Sequence, residues 1–590
     1  MTEEFVYLEA SGIPFAAILH RPDGPASEIA VLLLAPFGWE DIASYRPRRA
    51  WAEDLCAHGH PALRLDLPGT GESGGGPADP ATWATWNAAV TVAAAWLRSE
   101  ARAANVTALG IGLGGLLAYE AAVRGEVDDL VLWATPGRGR SLVREAVAFS
   151  AHETARIVEA GAPEPPPLPD GWLAPGGFLV SPETAAELRS VDLADGQLPG
   201  SVRVLLLDRD GVRPDAHLVD SIVGAGAELT VGSGGGYAAM LTDPDQARAP
   251  RDVFERTRVW LAQARPRQRA AVPAGGDAAT VEAVVGPVRE RAFLVAQPGG
   301  RLVGTLAEPI DGPTAPLTAV FLNAGAIRRV GPHRLWVDTA RRWGARGVPS
   351  LRLDLEGIGD SDGDGELFAD VAHFHGEQFF AQARAALDAL QASGLGDRFI
   401  LVGLCSGAYW AFHAALADDR VETAVMINPR VIYWDEQLEI ARELRRTRLL
   451  VKPVTWKRVL RGDVSRERWA TMARWLAGSP RRCARRVRRR DDQPFSVADR
   501  IAAAFDRVRE RGLRARFVFC DGEPLHDELT RDGLLAQPER WPTVTVTRLP
   551  GRDHTLRPLW MHEHVVAALD GALAAELALA HAAVELSESP

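Results

Sequence analysis

Two kinds of hydrophobic spacing alternate along the chain. Short, nearly unbroken apolar runs such as Ile29–Leu34, Ala319–Leu322, Phe399–Val402 and Arg516–Cys520 have the character of strands buried on both faces. A strand with one wet face would instead alternate apolar and polar residues. Stretches with helical spacing lie between the runs, so the pattern predicts an α/β fold with a mostly parallel, doubly wound sheet and helices on both faces. Two pairs of alternating strands stand apart. Phe5–Glu9 and Pro14–Leu19 flank Ser11-Gly12, Ala292–Ala296 and Leu302–Leu306 flank Pro298-Gly299-Gly300, and each pair reads as a hairpin. An alanine-rich helix near Val565–Val584 closes the pattern.

The pattern is written twice. Arg64-Leu65-Asp66-Leu67-Pro68-Gly69-Thr70-Gly71-Glu72-Ser73 returns 288 positions later as Arg352-Leu353-Asp354-Leu355-Glu356-Gly357-Ile358-Gly359-Asp360-Ser361. Gly110-Ile111-Gly112-Leu113-Gly114 returns 293 positions later as Gly403-Leu404-Cys405-Ser406-Gly407. A segment without apolar periodicity, carrying proline and glycine, separates the copies. The expected division is a first domain at 1–263, a linker at 264–279 and a second domain at 280–586.

In the second copy, the strand Phe399–Val402 runs into Gly403-Leu404-Cys405-Ser406-Gly407 and then a helix beginning near Ala408. This is the form of a nucleophile elbow, a sharp strand-to-helix turn whose small neighbours let the central side chain stand above the sheet edge. A thiol at a helix N-terminus meets a partial positive charge that favours the thiolate, and the following N–H points to where an oxyanion would form. Cys405 is thus the candidate acyl-accepting nucleophile. The plain alternative is a small buried thiol at a strand end.

These features together resemble the α/β-hydrolase superfamily: antiparallel entry strands, a loop after the third strand, the D-x-x-G-x-G-x-S segment and the elbow. The resemblance covers nearly the whole chain and implies two tandem α/β-hydrolase domains, the second with a larger helical cap at about 434–495. Over about 100 residues the second half is similar to the exosortase-system-associated hydrolases of the first type, through Arg329-Val330-Gly331-Pro332-His333-Arg334, Arg352–Ser361 and Gly403-Leu404-Cys405. In this fold the chain order is nucleophile, acid, histidine. The acid then falls on Glu523 in Asp521-Gly522-Glu523-Pro524, with Asp521 and Asp527 as competitors, and the base on His554 in Gly551-Arg552-Asp553-His554. Ser406 N–H and a donor from Asn323-Ala324-Gly325-Ala326, taken as Gly325, would form the oxyanion hole. Asn323, His333 and Arg334 are the candidate substrate contacts.

The first copy lacks these groups. Gly112 stands at the elbow centre and Tyr237 at the histidine position, while Asp210 keeps the acid position. A pseudo-enzyme domain is expected, with Asp210 structural.

Composition changes the picture at one place. A chain of 590 residues with 47% hydrophobic and 24% charged residues is globular in make-up, and its formal charge of -11 argues against general nucleic-acid binding. Yet residues 441–490 hold 18 Lys or Arg against 3 Asp or Glu, an excess that would draw an anion such as CoA or an acidic acyl carrier protein, or simply form a solvated face. Neither a secretory leader nor an apolar run of bilayer length is visible, so a cytoplasmic protein is expected. Four cysteines (Cys56, Cys405, Cys483, Cys520) fit neither a disulfide framework nor zinc spacing, and no cofactor or metal is expected. The functional expectation is an acyl-transfer enzyme that hydrolyses an ester or thioester. Transfer of the acyl group to an alcohol, amine or thiol, and a non-catalytic scaffold, stand as alternatives.

Overall fold

The computed structural model describes residues 1–80, 82–159, 161–264, 279–435 and 496–588. The first sheet is built from β1 (Thr2–Ala10), β2 (Ile13–Arg21), β3 (Ile29–Leu34), β4 (Ala62–Leu65), β5 (Asn105–Ile111), β6 (Asp129–Trp133), β7 (Arg203–Leu207) and β8 (Glu228–Gly232). The second comprises β9 (Glu282–Val285), β10 (Val288–Gln297), β11 (Gly300–Pro309), β12 (Thr318–Ala324), β13 (Ser350–Leu353), β14 (Phe399–Leu404), β15 (Val421–Ile427), β16 (Arg514–Cys520) and β17 (Val544–Leu549). Their orders are β1-β2-β4-β3-β5-β6-β7-β8 and β9-β10-β11-β13-β12-β14-β15-β16-β17. Apart from the extra edge strand β9, the two orders are the same. In each, the entry hairpin is antiparallel and the strands beyond it are parallel. This is the expected fold class at the level of two α/β domains with mostly parallel sheets in one chain.

The central strands of each sheet are dry on both faces, which is why they read as continuous apolar runs. Along β3, Ala30, Leu32 and Leu34 pack on one side with α2 (Thr82–Glu100) and α3 (Leu113–Val123), while Ile29, Val31 and Leu33 pack on the other with α1 (Trp39–Ala57) and α8 (Arg251–Leu261). The second sheet repeats this with α10 (Glu377–Ala392), α11 (Ser406–Ala417) and α12 (Val497–Glu510) against α9 (Leu335–Gly344) and α14 (Leu559–Glu588). The remaining helices are α4 (Gly139–Glu159), α5 (Pro182–Ser190), α6 (Ala216–Gly224), α7 (Tyr237–Met240) and α13 (Pro524–Arg531). Of these, α4 and α5 lie between β6 and β7, forming the first domain's own cap. Helix α14 begins before the expected Val565. The central stretch of the expected linker, 265–278, and residues 436–495 of the expected basic cap lie outside the described residues.

The domains meet through the repeated D-x-x-G-x-G-x-S segments, in a reciprocal exchange. Arg64 and Arg352 hold the same place in the two copies, as do Glu72 and Asp360, and each arginine pairs with the acid of the other copy. Arg64 Nη2 lies 2.8 Å from Asp360 Oδ1, and Arg352 Nη2 lies 2.5 Å from Glu72 Oε2. Arg329 joins both acids, at 3.0 Å from Glu72 Oε1 and 2.8 Å from Asp360 Oδ2, and Arg328 makes a two-pronged pair with Asp66 at 2.8 and 2.9 Å. Arg352 and Asp360 are fully buried. Burial alone would lift the Glu72 carboxyl, but Arg352, Arg329 and Arg328 hold it down at about 2. Strand pairing continues across the junction, with Tyr7 N–H donating to Thr280 O at 2.7 Å and Thr280 N–H to Tyr7 O at 2.9 Å.

Candidate active site

Cys405 sits between β14 and α11 with φ 58° and ψ -116°, a left-handed conformation that a residue with a Cβ adopts only under constraint. The constraint is visible on either side. A Cβ on Gly403 would stand 2.1 Å from the Gly407 carbonyl, and one on Gly407 would stand 2.0 Å from Asn323 O, so the turn closes only with glycine at both positions. Cys405 N–H is anchored to Ile427 O at 2.9 Å.

His554 lies in the loop after β17. Its Nδ1 is 3.0 and 3.1 Å from the two Glu523 oxygens, and Glu523 is buried at the start of α13. An Nδ1–H donated to this carboxylate leaves Nε2 for the thiol. The competitors are otherwise placed: Asp521 pairs with Arg548 at 2.8 Å, and Asp527 is exposed beside His526. Asn428 fastens the loop, since its Nδ2 donates to His554 O at 2.9 Å and its Oδ1 accepts from Cys520 N–H at 2.9 Å.

The electrostatics separate the described cysteines. Burial pushes Cys520 up to about 12 and Cys56 up to about 11. Burial also works against ionisation of Cys405, but the nearby His554 ring, Arg430 and the Ser406 N–H outweigh it and hold the thiol below its ordinary range. His554 shifts the opposite way. Burial disfavours its charge, yet the Cys405 sulfur and Glu523 raise it to about 9. Both shifts favour a thiolate–imidazolium pair. Arg430 Nε also lies 3.3 Å from His554 Nε2, a contact that suits the neutral ring.

Ser406 opens α11, so its N–H is one of the helix's unpaired first-turn donors. Gly325 follows β12 with φ 61° and open space on its Cβ side. The loop that carries Gly325 is closed by Asn323, whose buried side-chain amide is engaged there. Its Nδ2 donates to Ile327 O at 3.0 Å and Asp354 Oδ1 at 2.9 Å, and its Oδ1 accepts from Leu355 N–H at 2.9 Å. His333 and Arg334 depart further from the expectation, because both face the first domain. Arg334 donates to Ser73 O and Gly75 O at 3.2 Å, and His333 packs 4.7 Å from the Phe178 ring in a cavity of about 70 Å³ lined mostly by first-domain residues. The Arg329–Arg334 segment therefore belongs to the domain boundary.

No family model matches the chain, and no curated protein does. Solved structures are similar over about half of it. A carboxylesterase of the ammonia-oxidizing thaumarchaeon Nitrososphaera gargenis is 13% identical over 48% of this chain and 98% of its own, with a TM-score of 0.30. The thioesterase domain from the curacin biosynthetic pathway is 12% identical over 47% and 98%, with a TM-score of 0.29. A dienelactone hydrolase from Anabaena variabilis is 13% identical over 48% and 95%, with a TM-score of 0.30.

Sequence reasoning missed Asn428 and Arg430. A signal existed: Asn428-Pro429 directly follows the apolar β15, and Asn tolerates the left-handed φ of 46° found there. Among the described residues no helix is long and apolar enough to cross a membrane, and no cluster of metal-binding side chains occurs.

Proposed function

We propose that the second domain hydrolyses an ester or thioester through an acyl-enzyme on Cys405, with His554 as general base and acid, Glu523 orienting it, and the Ser406 and Gly325 N–H groups receiving the oxyanion. The observation carrying this reading is the Cys405 thiol on a strained strand-to-helix turn together with a His554 ring whose Nδ1 lies 3.0 Å from Glu523, an arrangement whose charges favour the thiolate. In the first half-reaction the thiolate attacks the carbonyl carbon, the C–S bond forms, and the carbonyl π pair moves onto oxygen. Collapse expels the alkoxide or thiolate, which takes the proton from His554 Nε2. Water then gives a proton to His554 as it attacks the acyl carbon, the C–S bond breaks, and the thiolate–imidazolium pair is restored.

The first domain is, in this reading, a duplicated copy without chemistry. The surplus of positive charge at 441–490 supports an anionic acyl donor such as CoA or an acidic carrier protein. Intact-protein mass spectrometry after incubation with activated acyl esters tests the proposal. An acyl adduct that forms on the native chain and is absent from Cys405→Ala is expected, and an adduct unchanged in Cys405→Ala would overturn it.

A further inference from the structure

A cleft of about 900 Å³ opens between the cap of the first domain and the start of α14 in the second. That volume is within the range of small-molecule sites. One wall is α4, a 21-residue helix of which only Gly139 and Val143 are buried. Its cleft face carries Val147, Ala151, Thr154 and Val158, spaced as one helical stripe. Val147 is 46% and Val158 37% exposed, so among the described residues this apolar stripe is open to the cleft. The polar groups on the walls are largely taken: Arg557 pairs with Glu153 at 3.0 Å, and Ser150 donates to Ala174 O at 2.9 Å.

The opposite wall ties the cleft to the chemistry. It is formed by Arg552 and by Arg557–Met561, the residues on either side of the His554 loop. The Arg552 guanidinium packs against Gly522, next to Glu523, and also against Gly161 of the first domain, since a Cβ on either glycine would lie 2.6 Å from it. Arg557 crosses the same boundary, with its cation 5.0 Å from the Trp39 ring. Cys405, His554 and Glu523 do not themselves line the cleft, but its wall is the chain on either side of the His554 loop, so the cleft is placed to receive the part of a substrate not undergoing reaction.

We infer that the first domain supplies one wall of the acyl site: α4 and the His554-side wall together hold a long apolar acyl chain whose carbonyl is presented to Cys405. This inference rests on the acyl-enzyme reading, and it gives the copy without chemistry a role in specificity. The chain's methylenes leave water against Val147 and Val158, so selectivity grows with chain length.

The test compares kcat/KM for 4-nitrophenyl dodecanoate and acetate in the native chain and in Val147→Asp, with Val158→Asp as a second variant. The dodecanoyl-to-acetyl ratio is expected to fall about ten-fold in each. An unchanged ratio in both variants overturns the assignment. A parallel measurement separates it from the reading on which it rests: displacement of anilinonaphthalene sulfonate by dodecanoate from Cys405→Ala protein. If no ester is turned over but dodecanoate binds and Val147→Asp weakens it, the cleft assignment stands and the acyl-enzyme falls. If acetate esters are turned over and dodecanoate does not bind, the acyl-enzyme stands and the cleft assignment falls.

Discussion

The two elbows have the same backbone and opposite chemistry. Gly112 has φ 54° and ψ -114°, Cys405 φ 58° and ψ -116°, and each N–H is fixed to the end of the neighbouring strand, at Trp133 O and Ile427 O. The flanking glycines meet the same obstacles: a Cβ on Gly110 would clash with Gly114 O, and one on Gly114 with Leu34 O. Around this shared turn the side chains differ. Tyr237 donates its hydroxyl to Glu40 at 3.3 Å, and Glu40 lies 3.7 Å from the place a Cβ on Gly112 would occupy. Burial raises that carboxyl to about 7. Asp210, at the acid position, caps the backbone N–H groups of Gly236, Tyr237 and Ala238 instead of holding a ring. The lesson is that an elbow is a backbone device. It is kept with glycine at its centre because strand, turn and helix need it for packing.

The largest expected effect breaks the comparison on the active side. Cys405→Ala should lower esterase turnover at least about 10⁴-fold, whereas Gly112→Ala should leave turnover within two-fold, about the scatter of such assays. The converse graft sharpens it. Gly112→Cys with Tyr237→His is expected to give no acyl adduct by mass spectrometry, because Asp210 is already bonded to backbone and Glu40 would disfavour a neighbouring thiolate. Glu523→Gln should reduce kcat by about 10²–10⁴-fold, and an effect below two-fold would remove Glu523 from the mechanism.

Next in size is the ionic exchange between domains. Asp360→Ala leaves Arg64 buried without its acid and removes one of the acids on Arg329, which keeps Glu72 and Asp354, and should cost about 3–5 kcal/mol by chemical denaturation. The sign of its acid dependence follows from Glu72, whose folded value is lowered. Its contribution is full above the unfolded carboxylate value of about 4.3 and is lost as pH falls toward about 2. Domain separation followed by fluorescence at falling pH checks this, and an interface indifferent to acid in that window would contradict it.

A smaller effect reports on the thiolate. Iodoacetamide labelling of Cys405 should proceed at pH values below the ordinary thiol range, since the thiol is lowered, and turnover should fall above about pH 9 as His554 loses its proton. Smallest of all, Cys405→Gly should raise thermal stability by about 1 kcal/mol through relief of the left-handed strain, a gain with no counterpart at Gly112.

The strands, the duplicated segments and the elbow were legible because they rest on local rules: apolar runs for strands dry on both faces, and glycine where two backbones touch. His554 and Glu523 were singled out through chain order, and the structure brings His554 Nδ1 to 3.0 Å from the Glu523 carboxylate. His333 and Arg334 were read as substrate contacts because they stand beside the oxyanion loop in sequence, but the positive φ values of 46° and 64° turn both toward the other domain. Asn323 was read the same way, yet its amide is used in closing the loop.

By itself the chain determined two α/β domains and two glycine-flanked strand-to-helix turns, one centred on a thiol and the other on glycine. These follow from hydrophobic period, glycine sterics and side-chain chemistry, all of which act over a few neighbours. Only the tertiary structure decided that Arg64 and Arg352 exchange partners with Asp360 and Glu72, and that α4 of the first domain faces the His554 loop. Those relations join residues hundreds of positions apart. They depend on how two folded surfaces match in shape and charge, and no local pattern encodes that.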